Sequence, residues 1–495
     1  MNVLLIYPNT QEHGDIPIAL TILTAVLKEA GHVVNIFDCS LYTPETDLHD
    51  IKESFGMFKV APRAPVSPPP RRHLENLATD LVNVINNNNI HLVGITATSG
   101  TYPLGLQCSQ YIKNEFPDMK IIFGGIHPTI CPDEVIQEKS VDMICIGEGE
   151  DALVELCNAQ DNHQPIQKIQ NLWIKDHDNI LHKNTLRPFK NLDTLPAQDF
   201  SGFHEYDFYR PLDGNLYKML NTEISRGCVF LCHYCSNAHL REVFTECGTY
   251  HRRKSPEVAI QHIKSLQEKY NFDAIRFWDE DFTAFPAPYL KRLSELYKKE
   301  IGLPFVVYAG TRTVTEEKMQ YLKEMGCITL AMAIESGNYW IRKYILNRDI
   351  TDEDIIRKYK IVQKFGIRVS AYNMIGLPFE TRKMVFDTIA LNRKVQASTS
   401  SVAAYQPYPK TRLANIATEF GMLTKTPIYN SVQTDLNSPH MTKQEIEGLI
   451  RTFSLYTKLP RKFFPILEKC ERDEEFSKKT FPKLIEYLNT KMEES

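Results

Sequence analysis

Residues 219–235 decide how this chain is read: Met219-Leu220-Asn221-Thr222-Glu223-Ile224-Ser225-Arg226-Gly227-Cys228-Val229-Phe230-Leu231-Cys232-His233-Tyr234-Cys235. The first seven residues read as a strand, and a Cys-x3-Cys-x2-Cys triplet follows on the loop at its carboxyl end. Thiolates are the usual protein ligands of iron–sulphur clusters, four to a 4Fe-4S cluster. Three close cysteines with no fourth at matching spacing leave one iron open to chelate a substrate or cofactor. Two plainer readings compete with this one. A structural zinc site wants four ligands in closed tetrahedral geometry, and His233, His239 or Cys247 would have to complete it; alternatively, the thiols are incidental.

The surrounding pattern weighs between them. Strands are predicted at 219–225, 274–278, 305–309, 328–334, 367–375 and 401–406, with helices at 256–269, 287–300, 315–325, 339–364 and 382–394. Six βα units are too few for a closed eight-fold barrel and enough for an open, partial (βα)6 TIM-like barrel. The triplet stands at the head of that series, at a strand's carboxyl end, where such barrels place their chemistry; this favours the cluster.

Upstream, residues 1–158 alternate strands and helices in the manner of a doubly wound, Rossmann-like α/β sheet. Strands are expected at Val3–Tyr7, Val33–Phe37, His91–Thr96, Lys120–Phe123 and Asp142–Ile146. Helices are expected at Pro17–Ala30, closed by Gly31, and near 76–88, 102–115 and 150–158. Residues 39–75, with Pro62, Pro65 and Pro68-Pro69-Pro70, read as an excursion over the surface. Residues 159–217 read as a connector holding a hairpin (Asn171–Ile174 with Ile180–His182), 218–420 as the partial barrel, and 421–495 as mainly helical.

Composition sets the remaining bounds. The 495 residues are 43% apolar and 24% charged with a formal charge of −4, which gives no sign of a nucleic-acid binder. No run approaches the ~20 apolar residues of a membrane span. Eleven scattered cysteines, and a chain that enters a strand pattern directly after Met1-Asn2, lead us to expect a reducing, cytoplasmic setting in which clustered cysteines bind metal.

On these residues the chain resembles the cobalamin (B12)-binding radical S-adenosylmethionine (SAM) enzymes. That family's pattern has an aromatic residue before the third cysteine, here Tyr234, and an acidic segment after the next strand, here Phe277-Trp278-Asp279-Glu280-Asp281-Phe282. The resemblance makes Asp279 and Glu280 candidates to hold the SAM amino group. It places Arg312, Glu335 and Ser336 (in Ile334-Glu335-Ser336-Gly337) and Gly376 (in Ile375-Gly376-Leu377-Pro378) around SAM as well. Each segment is weak alone; their shared order at successive strand ends carries the likeness.

In the first unit the resemblance assigns cobalamin contacts to three loops. These are Thr98 and Ser99 after the third strand; Gly124, Gly125, Ile126 and His127 after the fourth; and Gly147 and Glu148 after the fifth. Domains with a histidine beneath the cobalt carry Asp-x-His-x-x-Gly after the first strand. The loop Asn9–Asp15 lacks it, and Asp47-Leu48-His49-Asp50-Ile51-Lys52 has Lys for Gly in the wrong element. A cobalamin without a histidine below the metal is therefore expected, with His13 an ordinary loop residue.

The resemblance implies three cofactors, a 4Fe-4S cluster on Cys228, Cys232 and Cys235, SAM and cobalamin, and methylation of an unactivated carbon. Ring formation or rearrangement without methyl transfer is the alternative within enzymes, and a non-catalytic cobalamin-responsive binding protein the alternative outside them. Implied partners are a small-molecule, lipid or peptide substrate and an electron donor such as flavodoxin or ferredoxin. No motif names the substrate.

Overall fold

The computed structural model describes residues 1–10, 16–43, 64–176 and 178–493. The expectations for His13, His49 and most of the 39–75 excursion lie outside the described residues.

The first sheet holds β1 (Asn2–Tyr7), β2 (Val33–Asp38), β5 (Leu92–Thr96), β6 (Lys120–Gly124), β7 (Met143–Cys145), β8 (Leu172–Lys175) and β9 (Leu181–Lys183), in the order β2-β1-β5-β6-β7-β8-β9. Two-residue strands β3 (Tyr42–Thr43) and β4 (Arg72–His73) pair in parallel and pin the ends of the excursion together. β1, β2, β5, β6 and β7 are parallel, and side-chain alternation shows why the sheet is doubly wound. Leu4, Ile6, Val93, Ile95, Ile121 and Phe123 pack on one face with Leu81, Ile85 and Ile112 of helices Leu77–Asn87 and Tyr102–Glu115. Val3, Leu5, Leu92, Ile122 and Met143 pack on the other with Leu20, Leu27 and Leu156 of helices Ile18–Glu29 and Glu150–Asp161. The hairpin expected within the connector forms as β8–β9 and extends this sheet antiparallel to β7.

The second sheet begins with an antiparallel strand, β10 (Tyr209–Leu212), on β11 (Asn215–Thr222). β12 (Ser225–Arg226) leaves the sheet to pair with β13 (Arg252–Arg253). Then β14 (Ala274–Phe277), β15 (Phe305–Ala309), β16 (Cys327–Glu335), β17 (Arg368–Ile375) and β18 (Thr399–Ala404) follow β11 in parallel, giving the six strands of a partial barrel. Leu220, Ile275, Phe277, Phe305, Val307, Leu330, Met332 and Val369 face outward under the covering helices and form the largest core. The last strand is covered by helix Lys443–Lys458, whose Ile446, Leu449, Phe453 and Tyr456 pack with Val402 and Ala404. Phe463, Phe464 and Leu467 belong to this core too.

Two expectations are corrected here. The strand of 219–225 ends at Thr222, because the buried carboxylate of Asp279 captures the Ile224 N–H at 3.2 Å and turns the chain away. The single helix of 339–364 is two pieces, Ile341–Ile345 and Asp352–Lys364. Asn347 takes a left-handed conformation (φ 55°) between them, and Thr351 caps the second through its hydroxyl to the Asp354 N–H at 3.2 Å.

Candidate active site between the two sheets

The triplet loop runs from β12 into helix Ser236–Val243. Gly227 opens it at φ 83°, where a Cβ would stand 2.3 Å from the Tyr250 carbonyl oxygen, so only glycine fits the turn that aims Cys228. The sulphurs receive N–H donors: Phe230 N to Cys228 Sγ at 3.5 Å, Asn237 Nδ2 to Cys235 Sγ at 3.7 Å, and Arg348 Nη1 to Cys232 Sγ at 3.9 Å. Burial pushes the Cys228 thiol up to about 12 and the Cys235 thiol up to about 11, so a bound cation is what would make them thiolates at neutral pH. Three thiolates on one loop suit a cluster that keeps one iron open.

Around the loop, Tyr234 donates its hydroxyl to Glu335 Oε1 at 2.7 Å, and Arg348 reaches the same hydroxyl at 3.3 Å and the Ala333 carbonyl at 2.9 Å. Glu335 sits at the end of β16 with φ 65°, a left-handed conformation rare for a non-glycine residue and held here by its buried contacts. Burial raises its carboxyl, opposed by Arg348. Arg312 lies with its guanidinium 4.0 Å over the Phe230 ring, between the first two cysteines in sequence.

The two acidic candidates part ways. Asp279 is 1% exposed and accepts from the Ile224 N–H and the Ser225 hydroxyl; burial pushes it up to about 7. Glu280 is exposed; desolvation by the surrounding protein raises its carboxyl above the ordinary value, opposed by a hydrogen bond with Asn237. Ser336 is fully buried, its hydroxyl accepting from the Asn338 N–H at 3.2 Å and its carbonyl from Arg342 Nη1 at 2.8 Å. Gly376 donates its N–H at 2.8 Å to Glu380, a fully buried carboxyl that burial pushes up to about 8. That turn faces Ile446 of the C-terminal helices.

A cleft of about 1280 Å3, its mouth included, lies between the sheets. Its inner end is an apolar slot of Leu5, Leu20, Leu23, Gly94, Ile122 and Leu153, running beside β1, β5 and β6. Gly124, Gly125, Ile126, Gly147 and Glu148 form one wall, and Phe189, Arg226, Gly227, Leu240, Phe244 and Tyr250 the opposite one. A Cβ on Gly147 would come within 2.8 Å of Phe244, so the glycine is what lets the two sides close. Thr98, Ser99 and His127 are not on these walls: Thr98 bonds Thr101, and Ser99 bonds His127 Nδ1 at 3.1 Å behind the loop. Thr96 and Gly94 line the cleft instead, two and four residues before Thr98.

The sides are tied by charge. Glu148 accepts from Arg226 Nη1 at 2.9 Å and Arg252 Nη2 at 2.6 Å, while Arg226 also holds Glu150 at 2.7 Å and Glu223 at 2.8 Å. Burial works to raise the Glu148 carboxyl, but the Arg252 and Arg226 guanidiniums outweigh it and hold it below the ordinary value. From this wall a short chain of contacts reaches the triplet: Tyr250 donates to Asn237 Oδ1 at 2.7 Å, and Asn237 Nδ2 to Cys235.

Residues 222–391 match the radical SAM superfamily, and residues 66–157 match the B12 binding domain. The chain is a cobalamin-dependent radical SAM enzyme. Over 376 residues it is 26% identical to an uncharacterised methyltransferase of Pyrococcus horikoshii, covering 75% of this chain and 80% of that one. It is 23% identical to the anaerobic magnesium-protoporphyrin IX monomethyl ester cyclase of Rubrivivax gelatinosus, covering 64% of this chain and 57% of the cyclase. The radical SAM methyltransferase TsrM of Kitasatospora setae, solved with cobalamin and a 4Fe-4S cluster, shares the fold with a TM-score of 0.61 at 17% identity, covering 86% of this chain and 76% of TsrM.

Sequence reading missed Arg348, Asn237 and the Arg226–Arg252 pair. Arg348 was hidden inside an assumed helix; the run Asn347-Arg348-Asp349-Ile350-Thr351-Asp352, with its turn residue and N-cap, was the signal for a break.

Proposed function

We propose that this enzyme methylates an unactivated carbon of a small molecule held between the two sheets. One observation carries the reading: the cleft has the glycine loops of the B12-binding domain on one wall and Gly227, the neighbour of Cys228, on the other. A substrate there is within reach of both centres, which is what a reaction shared by two cofactors needs. Bound at these places, a 4Fe-4S cluster with SAM would supply one-electron bond cleavage, and cobalamin a transferable methyl group.

The protein's part is holding and shielding. Cys228, Cys232 and Cys235 are the cluster ligands. Arg348, through Cys232, Tyr234 and the Ala333 carbonyl, fixes the loop that bears them. Glu280 is the carboxylate left to pair with the SAM ammonium, because Asp279 is occupied by backbone and Ser225. The inner slot is apolar, and with the Gly124–Gly125 and Gly147 loops it is where the B12-binding domain would hold cobalamin. Phe189, Phe244, Leu240 and Tyr250 exclude water from the opposite side. Reduction would come from a small donor protein such as flavodoxin or ferredoxin.

The relation to the ring-forming cyclase gives a second reading, oxidative cyclisation without methyl transfer. Methyl-labelled SAM separates the two. Methylation puts label into the product alongside 5′-deoxyadenosine, whereas cyclisation yields deoxyadenosine and a product two hydrogens lighter that carries no label.

A further inference from the structure

The loop that brings Gly125 and Ile126 to the cleft continues behind it as two short helices, Ile126–Ile130 and Pro132–Gln137, meeting at Cys131. His127, Cys131 and Glu134 are four and three residues apart along this stretch, a spacing that stacks side chains on one side of a helical path. One ligand atom from each lies within 4.8 Å of the other two, the only such trio of His, Cys, Asp and Glu among the described residues. The trio mixes a nitrogen, a sulphur and an oxygen donor rather than gathering surface acids.

A second observation is independent of that spacing. His127 is 4% exposed, its ring packs 4.3 Å from the ring of Tyr102, and its Nδ1 is engaged by the Ser99 hydroxyl at 3.1 Å. Its Nε2 is buried with no hydrogen-bond partner. A buried ring nitrogen left this way has lost its water without gaining a bond, a cost that a bound group would relieve. Outside the trio opens a separate cavity of about 1000 Å3, lined by Cys131, Asp133, Glu134, His239 and Lys410 among others.

We propose that His127 Nε2, Cys131 Sγ and a Glu134 carboxylate oxygen bind a divalent transition cation of the zinc class, with a fourth position open to that cavity. Zinc accepts this mixed donor set, with bonds of ~2.0–2.3 Å. Adjacent ligands on one ion are then about 3.3–3.8 Å apart, so side-chain rotation closes the trio. Ser99 is the orienting partner: by accepting the Nδ1 proton it leaves the Nε2 lone pair for the metal. The ion ties the helices behind Gly124–Ile126 and so holds the cleft wall from the rear. This site is distinct from the cluster triplet and from the cleft, and it does not rest on the methylation reading.

The test uses the full chain loaded with iron and cobalamin, dialysed against micromolar Zn2+, with metal content and zinc-edge X-ray absorption as readouts. The expected result is about one zinc per chain, with a single sulphur at ~2.3 Å and its other neighbours nitrogen or oxygen. Zinc retention falls at least tenfold in Cys131→Ser and in Glu134→Gln while iron and cobalt contents stay unchanged; Glu134 is exposed, so its variant keeps the fold. No zinc above the buffer, zinc bound by three sulphurs, or full retention in Glu134→Gln would overturn the assignment.

Discussion

Two adjacent carboxylates show how environment, not residue type, assigns a role. Asp279 and Glu280 are neighbours after β14, yet one is closed into the turn after β11 and the other is exposed. Removing the charge of Glu280 by Glu280→Gln is expected to weaken SAM binding about 10- to 100-fold, the worth of a charge-assisted hydrogen bond, with iron content unchanged. Asp279→Asn keeps an acceptor for the Ile224 N–H and is expected to leave SAM affinity within about threefold. Equilibrium binding of SAM to the two variants checks the pair, and equal losses in both would reverse the assignment. Adjacency in sequence could not separate these residues, because the distinction depends on which N–H groups a distant strand end leaves open. Cys228, Cys232 and Cys235 were legible for the opposite reason: their chemistry is local, held in eight residues of one loop.

At the scale of elements, the break between Ile341–Ile345 and Asp352–Lys364 does more than connect two helices. It carries Arg348 into the cluster loop, and it depends on Asn347 at φ 55° with its Nδ2 bonded to the Leu231 carbonyl at 2.7 Å. A β-branched residue cannot hold that conformation without strain of about 1–2 kcal/mol. Asn347→Val is therefore expected to lower stability by at least that much, while Asn347→Gly keeps the backbone and gives up only the side-chain bond. Chemical denaturation of the two variants measures the difference. Strands and most helices were readable because their burial alternates with the period of the element, as Val3 and Leu5 against Leu4 and Ile6 show. The break was not, because apolar spacing runs on through 341–362 and only the cap residues interrupt it. The β8–β9 hairpin was readable as a hairpin, but its attachment to β7 is a long-range pairing that no local pattern records.

For the whole molecule, function depends on the two sheets facing each other, and Glu148 is the residue on which their charge contacts converge. With its folded pKa held below the ordinary value near 4.5, Glu148 contributes stability that is fully present above that value and is lost as pH falls through the lower folded one. Glu148→Ala leaves Arg226 and Arg252 without this carboxylate; we expect a loss of about 2–4 kcal/mol, looser retention of cobalamin, and a flatter fall of stability below pH ~4.5 than in the parent. Thermal unfolding across pH, with cobalt content alongside, checks all three. The B12-binding loops and the cluster loop would then be coupled through one ion-pair network rather than merely placed side by side.

The claim that the cleft joins SAM chemistry to cobalamin can be tested without knowing the substrate. The anaerobically reconstituted chain, loaded with cobalamin and a low-potential reductant, is incubated with methyl-labelled SAM, and the protein-bound cobalamin is isolated and counted. The account predicts label on the cobalamin at close to one methyl per bound corrin. Cobalamin that stays unlabelled while SAM is cleaved to 5′-deoxyadenosine would contradict it.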